Sequence, residues 1–177
     1  KIKDNELSET KNLNQCTDQL ELIIKETINL QSQADVPIGT FLSGGIDSSL
    51  ITALMSRVSK KTINTYTIGF HEKYFDESNY AKNISKYLQT NHNEIYFTSN
   101  DAINIIPKLS EIYCEPFSDK SQLPTILLSN FASSSVKTVL TGDGADEFFG
   151  GYYRYFFAKK ILQLQSTIPK SIVHILE

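Results

Sequence analysis

Ser43-Gly44-Gly45-Ile46-Asp47-Ser48-Ser49 follows an apolar, strand-like run (residues 36–42) and leads straight into an apolar helical pattern that begins near Leu50. A strand, a small-residue turn and a helix in that order predict an anion site. The two glycines let backbone N–H groups approach an anion closely, and the serine hydroxyls add donors. The helix start adds N–H groups without intrahelical partners and the positive end of the helix dipole. Asp47 is the odd member, because a carboxylate repels phosphate unless a divalent cation lies between them. The stretch therefore reads as a cradle for a nucleotide with bound magnesium. It is not a Walker A loop, since residues 39–49 hold no lysine. Taken alone, the stretch also fits a plain glycine-rich βα turn with a serine cap.

Upstream, residues 1–16 are polar and read as a linker or tail, and Leu22, Ile23, Ile24, Ile28 and Leu30 fall near helical spacing. Asp35-Val36-Pro37 stops that helix and starts the strand. Downstream, a helix over residues 48–58 precedes a strand over 62–70, and a helix carrying Tyr80, Ala81, Ile84 and Leu88 precedes a strand over 92–97. Residues 101–113 read as one helix with Ile105, Ile106, Leu109 and Ile112 inward, residues 124–134 as another, and residues 136–140 as a short buried strand. This alternation predicts an α/β fold, a parallel twisted sheet with helices on both faces. Ligands of such sheets bind beyond the carboxyl ends of the strands. If the first and fourth strands are neighbours, the segments at Ser43 and Thr141 leave the sheet side by side.

Thr141-Gly142-Asp143-Gly144-Ala145-Asp146-Glu147 is the second chemical cluster, three acids in five residues directly after a strand. Acids this dense at a strand exit suggest a metal. Asp146 with Asp47 would hold magnesium between phosphate oxygens, because Mg²⁺ takes one or two carboxylates and completes its shell with phosphate and water. Asp143 reads as a base or polar orienter facing a substrate. The plainer alternative is an acidic turn capping the next helix.

These residues reach a known family. SGGIDSS resembles the pyrophosphate loop of the N-type ATP pyrophosphatases, and TGDGADEFFGGYYRY resembles the second signature of the asparagine synthetase synthetase domain. Tyr66-Thr67-Ile68-Gly69-Phe70, Phe75-Asp76-Glu77 with Tyr80-Ala81, and Glu115-Pro116-Phe117-Ser118-Asp119 resemble further family segments. The resemblance implies a Rossmann-like adenine nucleotide alpha hydrolase fold, with ATP and Mg²⁺ as cofactors. The implied reaction is adenylation of the aspartate side-chain carboxylate, followed by attack of glutamine-derived ammonia. By motif position Leu42, Ile68, Thr141 and Gly142 would touch adenosine. Ser43, Gly44, Gly45, Asp47, Ser48 and Ser49 would hold pyrophosphate, Asp47 and Asp146 the metal. Asp143 falls where many members carry glutamate, the residue implicated in forming the intermediate and taking ammonia's proton.

Composition narrows the alternatives. A net charge of −3 gives no global attraction to nucleic acid or anionic membrane, and no apolar run approaches the roughly 20 residues a membrane span needs. Cys16 and Cys114 lack metal spacing and read as reduced thiols, Cys114 packed in a helix, so the cytoplasm is the expected compartment. The chain opens at Lys1 and closes at Glu177 within the apolar pattern Ile172, Val173, Ile175, Leu176. Residues 17–177 are accordingly expected to be a partial ATP-pyrophosphatase domain cut at both ends, without its N-terminal glutaminase domain and inactive in isolation, with a homodimer among its expected assemblies. The rival functions are an amidotransferase acting on another carboxylate such as a sugar acid, a tRNA-modifying pyrophosphatase, and a non-catalytic nucleotide-binding module. His92 reads as a structural histidine. The aromatic run Tyr152, Tyr153, Tyr155, Phe156 and Phe157 reads as packing.

Overall fold

The computed structural model describes residues 12–155 together with Phe157, Ala158 and Lys160. In chain order the helices and strands are α1 (Leu13–Gln31), β1 (Ile38–Phe41), α2 (Ile46–Val58), β2 (Asn64–Phe70), α3 (Ser78–Leu88) and β3 (Asn91–Phe97). Then come α4 (Ser99–Ile105), a 3₁₀ turn (Ile106–Lys108), α5 (Leu109–Ile112), α6 (Gln122–Ser133), β4 (Thr138–Leu140) and α7 (Ala145–Phe149). The chain divides into two compact units, Lys1–Thr141 and Gly142–Glu177.

The first unit holds a parallel sheet of order β3-β2-β1-β4. β1 pairs with β2 from Gly39↔Asn64 to Phe41↔Tyr66, and with β4 from Ile38↔Thr138 to Thr40↔Leu140. The first and fourth strands are therefore neighbours, which meets the condition left open in the sequence, and the chain leaves both at the same edge of the sheet.

Side chains alternate across the pleat and divide the core in two. On one face Ile38 and Leu140 pack with Ile24 and Ile28 of α1 and Ile51, Leu54 and Met55 of α2. On the other, Phe41, Tyr66, Ile68, Ile95 and Val139 pack with Leu128, Phe131 and Ala132 of α6. Each fully buried aliphatic side chain contributes about 1.5–3 kcal/mol. Tyr66 meets Phe131 edge to face at 5.9 Å and lies over Gly39, where a Cβ would come within 2.8 Å of the tyrosine ring and 2.9 Å of the Asn64 carbonyl. Glycine at position 39 is what lets that ring lie flat on β1.

The α2 and α3 side of the sheet is lined with hydroxyls. Thr40, Thr65 and Thr67 are all buried, as are Thr52, Ser78 and Ser85 on the facing helices. They satisfy one another: Thr52 with Thr40 at 3.1 Å, Thr65 with Thr90 at 3.0 Å, and Ser85 with Thr90 at 2.7 Å. His92 joins this layer through Nδ1, 3.0 Å from Thr65 Oγ1, with Nε2 3.0 Å from Glu94 Oε1. It is a structural histidine, as the sequence implied.

Several expectations are revised. α1 begins at Leu13, with the Asn12 side chain accepting from the Asn14 N–H, so residues 13–16 are helical although their composition is that of a tail. Leu22, Ile23 and Leu30 are exposed; α1 buries only Ile28 fully. The helix expected over 101–113 is broken because Pro107 has no N–H to continue the ladder, which leaves Ile106 and Ile112 exposed. Cys114 is exposed in a bend after α5 and not inside a helix. β4 has three residues, of which Leu140 alone is buried.

Burial, partly offset by Glu94 and reinforced by the Lys82 charge, holds the His92 imidazole below its ordinary value of 6.5. In the window just below pH 6.5 the unfolded chain thus binds a proton that the folded chain resists. Stability contributed by the neutral ring is full above pH 6.5 and falls as pH drops towards the folded-state value. Urea midpoints measured between pH 7.5 and 5 should show this decline, and His92→Gln should flatten it.

Candidate functional site

The turn after β1 is built from short bonds between its own residues. Leu42 donates its N–H to the Tyr66 carbonyl at 2.9 Å and its carbonyl accepts from Thr67 Oγ1 at 2.5 Å, so β2 grips both polar groups of the last residue before the turn. The Ser43 N–H donates to Ser48 Oγ at 3.2 Å, the two hydroxyls stand 3.0 Å apart, and the Gly45 N–H donates to Ser43 Oγ at 3.2 Å. Ser49 Oγ–H and N–H both reach the Gly45 carbonyl, at 2.5 and 3.1 Å, which fixes the start of α2.

The two glycines differ in what they do. Gly44 has φ of +90°, and a Cβ there would come within 2.7 Å of Tyr80 Cβ and 3.0 Å of the Ala81 backbone nitrogen. Both the backbone angle and the seat on α3 require glycine. Gly45 has φ of −67°, and a Cβ would meet only Ser43 Oγ at 3.3 Å. A side chain at position 45 would therefore project into open space beside the first turn of α2. Ile46 stands 85 % exposed beside it.

Asp76 secures the seat. Its Oδ1 accepts from the Phe70 N–H at 3.3 Å and the Ser78 N–H at 3.1 Å, and Oδ2 accepts from Ser78 Oγ at 3.1 Å. Burial works against ionisation, but the bonds from Ser78 and Phe70 outweigh it and hold this carboxyl below its ordinary range. The end of β2 is thereby tied to the start of α3, the turn on which Gly44 rests. The segment 75–81 matched a family pattern in sequence; this tie between strand and helix is the part sequence reasoning missed.

Among the other expected site residues, Asp47 lies half-buried in the first turn of α2. Leu42 is 1 % exposed with both backbone polar groups bonded to β2, and Ile68 is half-buried with the Tyr66 cluster. Thr141 closes the first unit directly after β4. Among the described residues no group of three or more His, Cys, Asp or Glu side chains could hold a metal. A cation at Asp47 would draw most of its ligands from phosphate and water, which is how magnesium is ordinarily held and a fit to this residue set.

The second unit carries Gly142, Asp143 and Asp146. Gly144 (φ +89°) and Gly150 (φ +71°) bracket α7. The three acids separate here. Asp143 is exposed, Glu147 accepts from the Tyr152 hydroxyl at 2.6 Å, and the Asp146 carboxylate occupies the space over Gly151 that a Cβ would overlap. The bond to Tyr152 holds the Glu147 carboxyl low, and the same bond pushes the Tyr152 phenol up to about 12. Arg154 lies over the Tyr152 ring at 4.3 Å. Tyr153, Tyr155 and Phe157 are exposed, so of the core and interface packing expected of this run the core part does not hold for these rings, though Tyr155 packs against Tyr152 at 5.7 Å; Phe156 falls outside the described residues. Among the described residues no helix is long and apolar enough to cross a membrane.

Comparison with known proteins supplies an independent finding. Residues 19–174 match the model of the family described as asparagine synthase. The chain is 40 % identical over 146 residues to a putative asparagine synthetase [glutamine-hydrolyzing] 2 of Methanocaldococcus jannaschii, covering 78 % of this chain and 28 % of that protein. It is 30 % identical over 155 residues to asparagine synthetase [glutamine-hydrolyzing] 1 of Bacillus subtilis, covering 86 % of this chain and 24 % of that one. The chain thus spans about a quarter of the length of these curated relatives. Among solved structures it is similar in fold to an NH3-dependent NAD synthetase from Campylobacter jejuni. The TM-score is 0.55 at 17 % identity, covering 76 % of this chain and 60 % of that one. An NMN synthetase from Francisella tularensis gives 0.54 at 16 % identity, covering 77 % and 58 %.

Gly44→Ala is expected to destabilise the chain by about 1–3 kcal/mol through the strained angle and the clash with α3. Gly45→Ala should cost about 1 kcal/mol or less while filling the hollow of the turn. Thermal unfolding and a nucleotide titration of both variants check the contrast: position 44 loses stability first, position 45 loses binding first.

Proposed function

The chain belongs to the asparagine synthase family, and from that premise we propose that it is the ATP-using part of an amide-forming ligase, activating the aspartate side-chain carboxylate for attack by glutamine-derived ammonia. The observation that carries this reading is the turn at residues 43–49. It is a glycine-shaped hollow ahead of a helix start, at the carboxyl end of a central parallel strand whose neighbour, β4, leads into the acidic segment.

In this reading the aspartate carboxylate oxygen forms a bond to the α-phosphorus of ATP as the bond to pyrophosphate breaks. The N–H groups and hydroxyls of residues 43–49 take up the charge that accumulates on the departing pyrophosphate. Asp47 and Asp146 are assigned to magnesium, whose contribution is charge neutralisation on the phosphate oxygens. Ammonia nitrogen then bonds to the acyl carbon and AMP leaves. Asp143, exposed at the start of the second unit, is assigned the proton that the nitrogen sheds. The glutaminase portion that would release this ammonia and the choice of aspartate over a sugar acid are proposed from the relatives' names, and the cytoplasmic setting from the two thiols, Cys16 and Cys114.

Pyrophosphate exchange into ATP in the complete protein tests the reading. Exchange should require aspartate and magnesium, Asp47→Asn should weaken ATP binding, and Asp143→Ala should depress exchange more than it weakens ATP binding. Exchange supported by a sugar acid and not by aspartate would instead identify an amidotransferase of the same mechanism with another substrate.

A further inference from the structure

We infer that Thr67, together with Thr52, is a positioning residue for the phosphate-binding turn, and that these two buried threonines hold its two limbs from beneath. The inference rests on the reading of residues 43–49 as the ATP cradle. On the entry limb, Thr67 is 1 % exposed and its hydroxyl donates to the Leu42 carbonyl at 2.5 Å. On the exit limb, Thr52 is 0 % exposed; its hydroxyl bonds back to the Ser48 carbonyl one turn earlier in α2 at 2.7 Å, beside the helix's own ladder, and stands 3.1 Å from Thr40 Oγ1, which ties the first turns of α2 to β1. Ser43 and Ser48, the residues adjoining these grips, join the limbs across the mouth at 3.0 Å.

The consequence follows from ladder geometry. In a regular parallel pair, each carbonyl facing the neighbouring strand is taken by a backbone N–H of that strand. Here a side chain takes the Leu42 carbonyl at the point where β1 ends, one residue after the last register pair Phe41↔Tyr66. The hydroxyl is a bonding partner off the backbone ladder, and it fixes where Leu42 turns out of the sheet and so where Ser43 and the helix start that follows it stand, the N–H groups of Ser43 and Gly45 being bonded within the turn. Valine at position 67 keeps the shape and removes the donor. The carbonyl, buried and unpaired, then seeks another partner, and the entry limb shifts with it. Serine keeps the donor and loses only a buried methyl group. Neither threonine touches substrate in this scheme.

Calorimetric titration with ATP at fixed magnesium, beside thermal unfolding, separates the effects in the full chain. Thr67→Val should bind ATP roughly tenfold more weakly, the loss of one well-placed hydrogen bond. Thr67→Ser should be less stable than wild type yet bind ATP within about twofold of it. Should Thr67→Val not fold, Thr67→Ser alone decides: ATP affinity that falls in step with its loss of stability would overturn the inference. Wild-type affinity in the folded valine variant, or affinity that tracks stability in both, would overturn the inference. Wild type that binds no ATP at all would overturn the reading of the turn and this inference with it.

Discussion

The contact between Gly44 and the first turn of α3 is the constraint on which the carboxyl edge of the sheet depends. A positive backbone angle that favours glycine lets the chain lie so close to α3 that a Cβ at position 44 would stand 2.7 Å from Tyr80 Cβ. That approach exists only because α3 begins where it does, and α3 begins there because Asp76 bonds both the last residue of β2 and the first of the helix. Strand end, helix start and turn are therefore one assembly. Its bonds are mostly side chain to backbone, which gives each a fixed partner where the regular ladder has run out.

The two faces of the sheet solve different problems. The α6 face is apolar and aromatic, and supplies burial without direction. The opposite face combines an apolar cluster under α1 and α2 with a layer of hydroxyls, each satisfied by a neighbour, and a satisfied polar layer admits few alternative arrangements. Directional bonds therefore lie on the face that carries α2 and α3.

Sequence made the first part of this legible because its signals are local. Glycines, serines and an aspartate in seven residues define a turn, and helical or alternating spacing defined α2, β2, α3 and β3 to within a few residues. The adjacency of β1 and β4 was conditional in sequence and became a register only in the structure. What stayed hidden required distant partners. Thr67 looks like any strand threonine until Leu42 is placed beside it, and the hydroxyl layer is spread over five segments of chain. Pro107 was readable as a break, but the apolar spacing around it suggested continuity. The acids at 146 and 147 have neighbours no spacing announced, a Tyr152 hydroxyl on Glu147 and the bare backbone of Gly151 beneath Asp146.

The Tyr66 ring lying on Gly39 links the histories of two positions. Any residue larger than glycine at 39 meets both the ring and the Asn64 carbonyl, and the carbonyl belongs to a strand that cannot retreat without losing its pairing. A smaller residue at 66 relieves one obstacle and not the other, at the cost of the void left against Phe131 and α6. Glycine at 39 is thus held twice over, by a ring that belongs to the core and by a carbonyl that belongs to the ladder, so no single exchange elsewhere makes room for a larger side chain there.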